Sequence, residues 1–196
     1  YVGSNQDYPQ AVINSIPAPE LTGRKPDEKE LKAYARGLGE LDRFGVDYIV
    51  MVCNTIHLFL EDLQRDIAAP IVDMREEVRK RLLSAGVTAV TVLGTPQTVS
   101  GGLYRFGDFK YVNPTEAELQ GLSRAIFDFN RGNDKPGQRS FVERLCRRCL
   151  ERGSELVVLG CTELAVMLEG SGLPVLNTLD VFVDATVERF VAGLGK

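Results

Sequence analysis

Two stretches of this sequence, GVDYIVMVCNT at residues 45–55 and GSELVVLGCTE at residues 153–163, align with each other without a gap. In each, an apolar run follows a glycine and ends at a cysteine, Cys53 in the first and Cys161 in the second. A short apolar run bounded by turn residues is typical of a buried β-strand. More than half of the chain separates the two cysteines, which is too long for a solenoid repeat and indicates two similar lobes.

The rest of the chain alternates apolar runs with segments of helical period, the pattern of β-α units that form a parallel sheet. Pro26 opens a predicted helix that runs to about Phe44, and Pro114 opens another that runs to about Phe129. The polar residues 131–138 are predicted to form a loop. Strands are predicted at residues 11–14, 48–52, 71–72, 89–93, 109–112, 156–159 and 175–176.

The duplication predicts the domain organisation. Each copy continues through a short helix into a strand led by a proline, Pro70 in the first and Pro174 in the second. We therefore expect an α/β fold with a first lobe at residues 1–92 and a second lobe at residues 93–178. The last segment, residues 179–196, is expected to form a helix that packs back on the first lobe.

Composition limits the class of function. The chain has 196 residues, is 44% hydrophobic and 26% charged, and has a net charge of −4. Its basic residues are scattered, which argues against a nucleic-acid partner. No apolar run approaches the roughly 20 residues needed to cross a bilayer, so no membrane partner is expected. The sequence opens on polar residues rather than a signal peptide, and a cytoplasmic protein with reduced cysteines is predicted.

The two aligned cysteines are the candidate catalytic residues. Cys53 and Cys161 each directly follow a predicted strand, and in open parallel sheets ligands bind outside the carboxyl ends of the strands. A single cysteine there is most often a packing residue. Two at equivalent positions would face each other, so that one thiolate could remove a Cα proton while the opposite thiol supplies another. Nearby helix N-termini are expected to lower the thiol pKa values.

The other two cysteines, Cys146 and Cys149, form a C-x-x-C pattern within a predicted helix. No second pair and no neighbouring histidine accompany them, so they do not have the pattern of a zinc site. We interpret them as packing residues, and the sequence predicts no metal site.

Four motifs in chain order carry a family resemblance: VCNTIH at residues 52–57, GTPQTVSGGLY at 94–104, NPTE at 113–116 and LGCTEL at 159–164. They resemble the two cysteine motifs, and the stretch between them, of the aspartate/glutamate racemases that work without pyridoxal phosphate. The resemblance covers nearly the whole chain. It implies two pseudo-symmetric Rossmann-like lobes with parallel sheets, an active site in the cleft between them, no cofactor and a homodimer.

The resemblance also assigns roles to residues. It implies that Cys53 and Cys161 are the acid/base pair of a racemase. The implied substrate is a small acidic amino acid, aspartate or possibly glutamate. Arg131 and Arg24 are the candidates for binding the distal carboxylate, which is the side-chain carboxylate of the acidic substrate. His57 is expected to orient the Cys53 site. The residues implied to hold the α-carboxylate and α-amino groups are Asn54, Thr55, Thr95, Thr98, Thr162 and Glu163.

Three features depart from the family pattern. Family members begin with a strand, a glycine-rich loop and a helix that do not precede Ser4 here, so either this sequence omits part of the protein or the first lobe lacks that unit. The segment APELTGR, which ends at Arg24, replaces the family's I-P-D-R-T. Asn177 stands where an aspartate is usual.

Alternative functions remain open at this point. An aspartate or aspartate/glutamate racemase is the leading hypothesis, and the missing N-terminal unit and Asn177 motivate the alternative of a non-catalytic binder of acidic ligands or a vestigial racemase. A related cysteine-dependent isomerase, decarboxylase or hydantoin racemase would use the same cleft, although the presence of both cysteines argues against a decarboxylation that needs only one.

Overall fold

A parallel sheet forms the centre of the protein, whose computed structural model describes residues 3–4, 7–17 and 28–193. The sheet has four strands in the order β2-β1-β3-β4. All neighbouring strands run parallel. The strands are β1, Ala89–Gly94; β2, Lys110–Tyr111; β3, Leu156–Gly160; and β4, Val175–Asn177. The predicted α/β class with a parallel sheet is confirmed.

The helices begin and end at residues that favour those boundaries. Thr115 and Glu118 form a capping box at the start of α5. Gly45 follows α1 with φ +74°, a conformation that costs glycine little. The α-helices are α1, Glu28–Arg43; α2, Leu60–Gln64; α3, Met74–Ser84; α4, Pro96–Ser100; α5, Glu116–Asn130; α6, Lys135–Glu151; α7, Thr162–Met167; and α8, Thr178–Gly193, with a 3₁₀ helix at Thr55–Phe59.

The sheet is covered by helices on both faces. Along β3, Val157 and Leu159 pack into a cluster with side chains of α5, α6 and α7. The intervening Val158 points to the opposite face, where it packs with side chains of α3 and α8. Alternate residues of a strand point to opposite faces, so a strand buried on both sides is continuously apolar.

The segments around the first cysteine form a smaller unit beside this sheet. A parallel bridge joins Ile49 to Ile71. Its hydrogen bonds run from Ile49 N to Pro70 O and from Val72 N to Ile49 O, both 2.9 Å. Ile49 and Ile71 pack in a cluster with Leu38 of α1 and with side chains of the 3₁₀ helix and α2. The strands predicted at 48–52 and 71–72 are therefore reduced to one bridge.

Three other predictions of local structure need correction. Residues 11–14 are not a strand: Ile13 is 91% exposed, so the segment buries no apolar face, and Asn14 instead bonds to Gly37 O. Strand 109–112 is shortened to Lys110–Tyr111. Residues 131–138 are not a continuous loop, because α6 begins at Lys135; the Asp134 side chain caps it and a proline fits its first turn.

The position of α8 bears on the predicted lobes. Its residues Val181 and Phe182 share a buried cluster with Val78 and Leu82 of α3. The boundary predicted at residue 92 falls inside β1, which pairs with β2 and β3. The division into two lobes at that residue stays a prediction.

Among the helices that the structure describes, none is long and apolar enough to span a membrane.

Candidate active site

The carboxyl edge of the sheet brings two candidate residues side by side. In the register of β1 and β3, Gly94 is paired with Gly160, so Thr95 and Cys161 follow adjacent strand ends. A Cβ at Gly94 would lie 2.9 Å from Gly160 O. Glycine at this position therefore permits the close approach of the two strand ends.

Cys161 is buried and lies at the N-cap position of α7. Its Sγ donates a hydrogen bond of 2.6 Å to Glu163 Oε2. Burial, and then the negative charge of Glu163, raise the pKa of the Cys161 thiol far above its ordinary value. Cys161 is therefore a protonated thiol at neutral pH.

Glu163 has three hydrogen-bond donors around its carboxylate. Besides Cys161, Thr162 Oγ1 donates to Oε2 at 3.0 Å and Asn130 Nδ2 donates to Oε1 at 2.8 Å. Burial opposes its ionisation, but the hydrogen bonds from Cys161, Asn130 and Thr162 outweigh burial and hold the pKa of Glu163 below its ordinary value. A charged carboxylate thus faces the second cysteine. Asn130 was missed by the sequence reasoning, although it directly precedes Arg131.

Cys53 lies in a tight turn rather than at the end of a regular strand. Its backbone N–H donates to Met51 O at 2.9 Å. The residue is exposed, yet desolvation by the surrounding protein raises the pKa of its thiol; the backbone N–H groups of Ile56 and Thr55 oppose this, and the charge of Glu163 adds to it. The expectation that helix N-termini lower both thiol pKa values is wrong, because burial and Glu163 outweigh them.

A cluster of three threonine hydroxyls connects the Cys53 segment to the sheet edge. Thr55 Oγ1 lies 3.1 Å from Thr95 Oγ1 and 2.9 Å from Thr98 Oγ1. Thr98 N donates to Thr95 Oγ1 at 3.2 Å and caps α4. Thr55 and Thr98 are buried. The structure therefore brings these three predicted site residues together beside the strand that pairs with β3.

Asn54 is buried and contacts two hydroxyl groups that the sequence reasoning did not assign to the site. The Tyr104 hydroxyl donates to Asn54 Oδ1, and Thr178 Oγ1 lies 2.9 Å from the same atom. Tyr104 also contacts Met74 Sδ at 3.1 Å. Burial raises the pKa of Tyr104, so its hydroxyl stays protonated. Tyr104 ends the motif at residues 94–104, which is the signal that could have identified it.

His57 lies beneath the Cys53 turn. It is fully buried, and its Nε2 is 3.2 Å from Met51 O, the carbonyl that also accepts from Cys53 N. Its ring packs edge-on against Phe182 of α8 with centroids 5.6 Å apart. Burial lowers the pKa of His57, so the ring is neutral and Nε2 is the donor. Nδ1 is buried, and no side chain or backbone group of the described residues forms a hydrogen bond with it.

The two candidate arginines differ in what the structure describes. Arg131 is exposed at the C-terminal end of α5, next to the Asn130 that contacts Glu163. Arg24 lies outside the described residues.

Cys146 and Cys149 are fully buried in α6, which agrees with their interpretation as packing residues. Within the described part of the chain, no group of three or more histidine, cysteine, aspartate or glutamate side chains could hold a metal ion.

Comparison with known proteins identifies the family. Residues 3–186 match a family model described as Asp/Glu/Hydantoin racemase. The chain is 27% identical over 199 residues to the broad specificity amino-acid racemase RacX of Bacillus subtilis, covering 98% of this chain and 87% of that protein. It is 28% identical over 144 residues to the glutamate racemase of Deinococcus radiodurans, covering 71% of this chain and 50% of that protein.

A solved structure shows the same fold. The Picrophilus torridus aspartate racemase superposes with a TM-score of 0.81 at 22% identity, covering 97% of this chain and 83% of that one. The family model spans nearly the whole chain and includes both cysteine motifs. The chain belongs to the Asp/Glu/hydantoin racemase family.

Proposed function

We propose that this protein interconverts the enantiomers of an acidic amino acid without a cofactor, with Cys53 and Cys161 as its two acid/base groups. The observation that supports this most is that Thr55, two residues after Cys53, bonds to Thr95, which follows the strand end next to Cys161. The name of RacX, a broad specificity amino-acid racemase, further supports an amino-acid substrate.

The unequal environments of the thiols suggest a direction for the first proton transfer. Cys161 faces the charged Glu163 and rests as a thiol, whereas no carboxylate in the described part of the chain bonds to the Cys53 sulfur. In one direction the fraction of Cys53 that is ionised, which desolvation keeps small by raising the pKa, removes the Cα proton, and Cys161 gives its proton to the opposite face of the resulting carbanion. Cys53 ends as a thiol and Cys161 as a thiolate. The reverse reaction starts from that state.

The substrate groups would be held by the residues around the two cysteines. We assign the α-carboxylate and α-amino groups to Asn54, Thr55, Thr95, Thr98, Thr162 and Glu163. Glu163 accepts hydrogen bonds already, and a substrate ammonium would be a further donor to it. Arg131, exposed beside Asn130, and Arg24 are proposed to hold the distal carboxylate. We also propose that the protein is a homodimer. Light scattering during gel filtration would measure its molar mass.

A substrate panel tests the proposal. The protein, dialysed against hydroxylamine to remove any bound pyridoxal phosphate, is incubated with each enantiomer of aspartate, glutamate, alanine and lysine and with a 5-substituted hydantoin. Chiral chromatography follows each reaction, and a variant with both cysteines replaced by serine is the control. We expect inversion of aspartate or glutamate at a higher kcat/KM than that of alanine or lysine. Inversion of the hydantoin alone would contradict the proposed substrate, and no inversion at all would indicate a binding protein.

A further inference from the structure

One buried side chain connects the segments that carry the two cysteines. Thr178, the first residue of α8, has its Oγ1 at 2.9 Å from the side chain of Asn54 and at 2.7 Å from Leu159 O. Asn54 directly follows Cys53, and Leu159 is two residues before Cys161 on β3. Thr178 is 1% exposed, so no water competes for these contacts.

The Thr178 hydroxyl is the donor in both contacts, and Asn54 Oδ1 and Leu159 O are the acceptors. The hydroxyl has one proton, so the two acceptors share it. The Tyr104 hydroxyl also donates to Asn54 Oδ1, so the Asn54 side chain is held from two sides.

We propose that Thr178 is a positioning residue that sets the separation between the Cys53 and Cys161 sulfurs, an inference that rests on the proposed two-thiol function. Each sulfur must reach the same Cα from opposite sides, and a misplacement of about 1 Å can lower a rate by about a hundredfold. The bridge is stiff, because threonine is branched at Cβ and its hydroxyl is held at two points.

Removing only the hydroxyl tests the proposal. Thr178→Val has nearly the same shape but cannot bridge, whereas Thr178→Ser keeps the hydroxyl. We expect Thr178→Val to lower kcat about tenfold to a hundredfold in both directions, with KM changed by less than about threefold. Thr178→Ser should retain most of the activity. If circular dichroism shows that Thr178→Val does not fold, the smaller Thr178→Ala removes the same hydroxyl.

Thr91→Val is the matched control. Thr91 is buried like Thr178, and its Oγ1 donates to a backbone carbonyl, Val112 O, at 2.8 Å. The same substitution there should lower the melting temperature by a similar amount while kcat stays near that of the wild type. A parallel loss of kcat in Thr91→Val would show that buried threonine hydroxyls matter only through general stability, and the proposal would be overturned.

A second readout does not depend on turnover. A short bis-electrophile that links two thiols is added to each protein, and the linked peptides are identified by mass spectrometry. We expect a Cys53–Cys161 link in the wild type and in Thr178→Ser, and a reduced yield in Thr178→Val. An equal yield and an equal kcat in Thr178→Val would overturn the inference and leave the proposed function intact. A wild-type protein that neither links these cysteines nor racemises would overturn the proposed function itself.

Discussion

The two cysteine segments have the same sequence frame but different surroundings. Both Cys53 and Cys161 follow an extended run, and in both copies the next proline-led segment ends in a side chain that caps a helix. Asp73 accepts from Arg75 N at 2.8 Å, and Asn177 accepts from Leu179 N at 3.0 Å. Asparagine therefore performs the capping that the usual aspartate would perform, without its charge.

The differences lie in the residues that follow each cysteine. Two positions on, Thr55 bonds to other hydroxyls, whereas Glu163 bonds to the thiol of Cys161. Four positions on, His57 supports the Cys53 turn, and its counterpart Ala165 has no polar side chain. The two copies thus share a sequence frame, while the neighbouring residues give the two thiols different hydrogen bonds. If both thiols act in racemisation as proposed, two mirror-image substrates meet two chemically unequal groups.

The largest expected effect comes from removing either sulfur. Cys53→Ser and Cys161→Ser should each lower racemisation by at least about a thousandfold, because a hydroxyl is a far weaker acid than a thiol and yields no useful base near neutral pH. Polarimetry on aspartate measures this. Cys146→Ala, in the core of α6, is the control and should keep kcat despite some loss of stability. Near wild-type activity in either serine variant would remove that cysteine from the mechanism.

The next effect tests the inequality of the thiols through Glu163. In Glu163→Gln the charge that raises the pKa of Cys161 is gone, so that pKa falls and more thiolate is present at a given pH. Alkylation of Cys161 by iodoacetamide should accelerate about tenfold for each unit by which the pKa falls. At the same time kcat should fall about tenfold to a hundredfold, because burial alone holds the acid of one direction protonated less strongly than burial and the charge of Glu163 together.

The control for this prediction is Glu61→Gln, which removes an exposed carboxylate paired with Arg75. It should leave the alkylation of both cysteines unchanged. Peptide mass spectrometry separates the rate of Cys161 from that of Cys53. Identical pH profiles for Cys161 in the wild type and in Glu163→Gln would mean that the hydrogen bond between them does not control the thiol.

A smaller effect concerns the distal carboxylate. If Arg131 binds it, Arg131→Leu should raise KM for aspartate about fivefold to tenfold and leave KM for alanine within about twofold, since only aspartate has a second carboxylate. The exposure of Arg131 limits the expected effect. Steady-state kinetics on both substrates measures the difference. Equal changes for aspartate and alanine would assign Arg131 a structural role.

The smallest effect concerns His57 and appears in stability. Its pKa in the folded protein is below the ordinary value of 6.5, so the unfolded chain takes up the proton first as the pH falls. The free energy of unfolding should therefore decrease below about pH 6.5. Each kcal/mol lost should lower the melting temperature by about 2–4 °C. His57→Gln, which can still donate to Met51 O, should flatten this dependence. An unchanged pH dependence in that variant would assign it to other groups.

The sequence predicted those strands and helix starts that depend only on neighbouring residues. The apolar runs of β1 and β3 and the caps of α5 could be identified because periodicity and turn residues report burial directly. The polar segment before α6 was misjudged, since a capped helix start and a loop share the same residue types. The first copy of the duplicated run formed a single bridge, because strand pairing depends on partners distant in sequence.

In the candidate site, too, positions set by neighbouring residues could be predicted, whereas contacts between distant residues could not. The cysteines and the threonines that follow them could be located from their position after predicted strands. The contacts of Asn54 with Tyr104 and Thr178 could not, because they join residues far apart in the chain. The direction of the thiol pKa shifts was also out of reach, since desolvation depends on the packing around each sulfur.

The most direct test of the two-thiol account is the fate of the Cα proton in deuterium oxide. One enantiomer of aspartate is incubated with the wild-type protein, and the reaction is stopped early. Deuterium at Cα is then measured separately in the remaining substrate and in the product. With two opposed thiols, the product receives a deuteron from the solvent-exchanged thiol, while the other thiol returns the original proton to any substrate that reverts. We predict a fully deuterated product and an undeuterated remaining substrate from both starting enantiomers; deuterium entering the remaining substrate as fast as the product forms would indicate a single base and contradict the account.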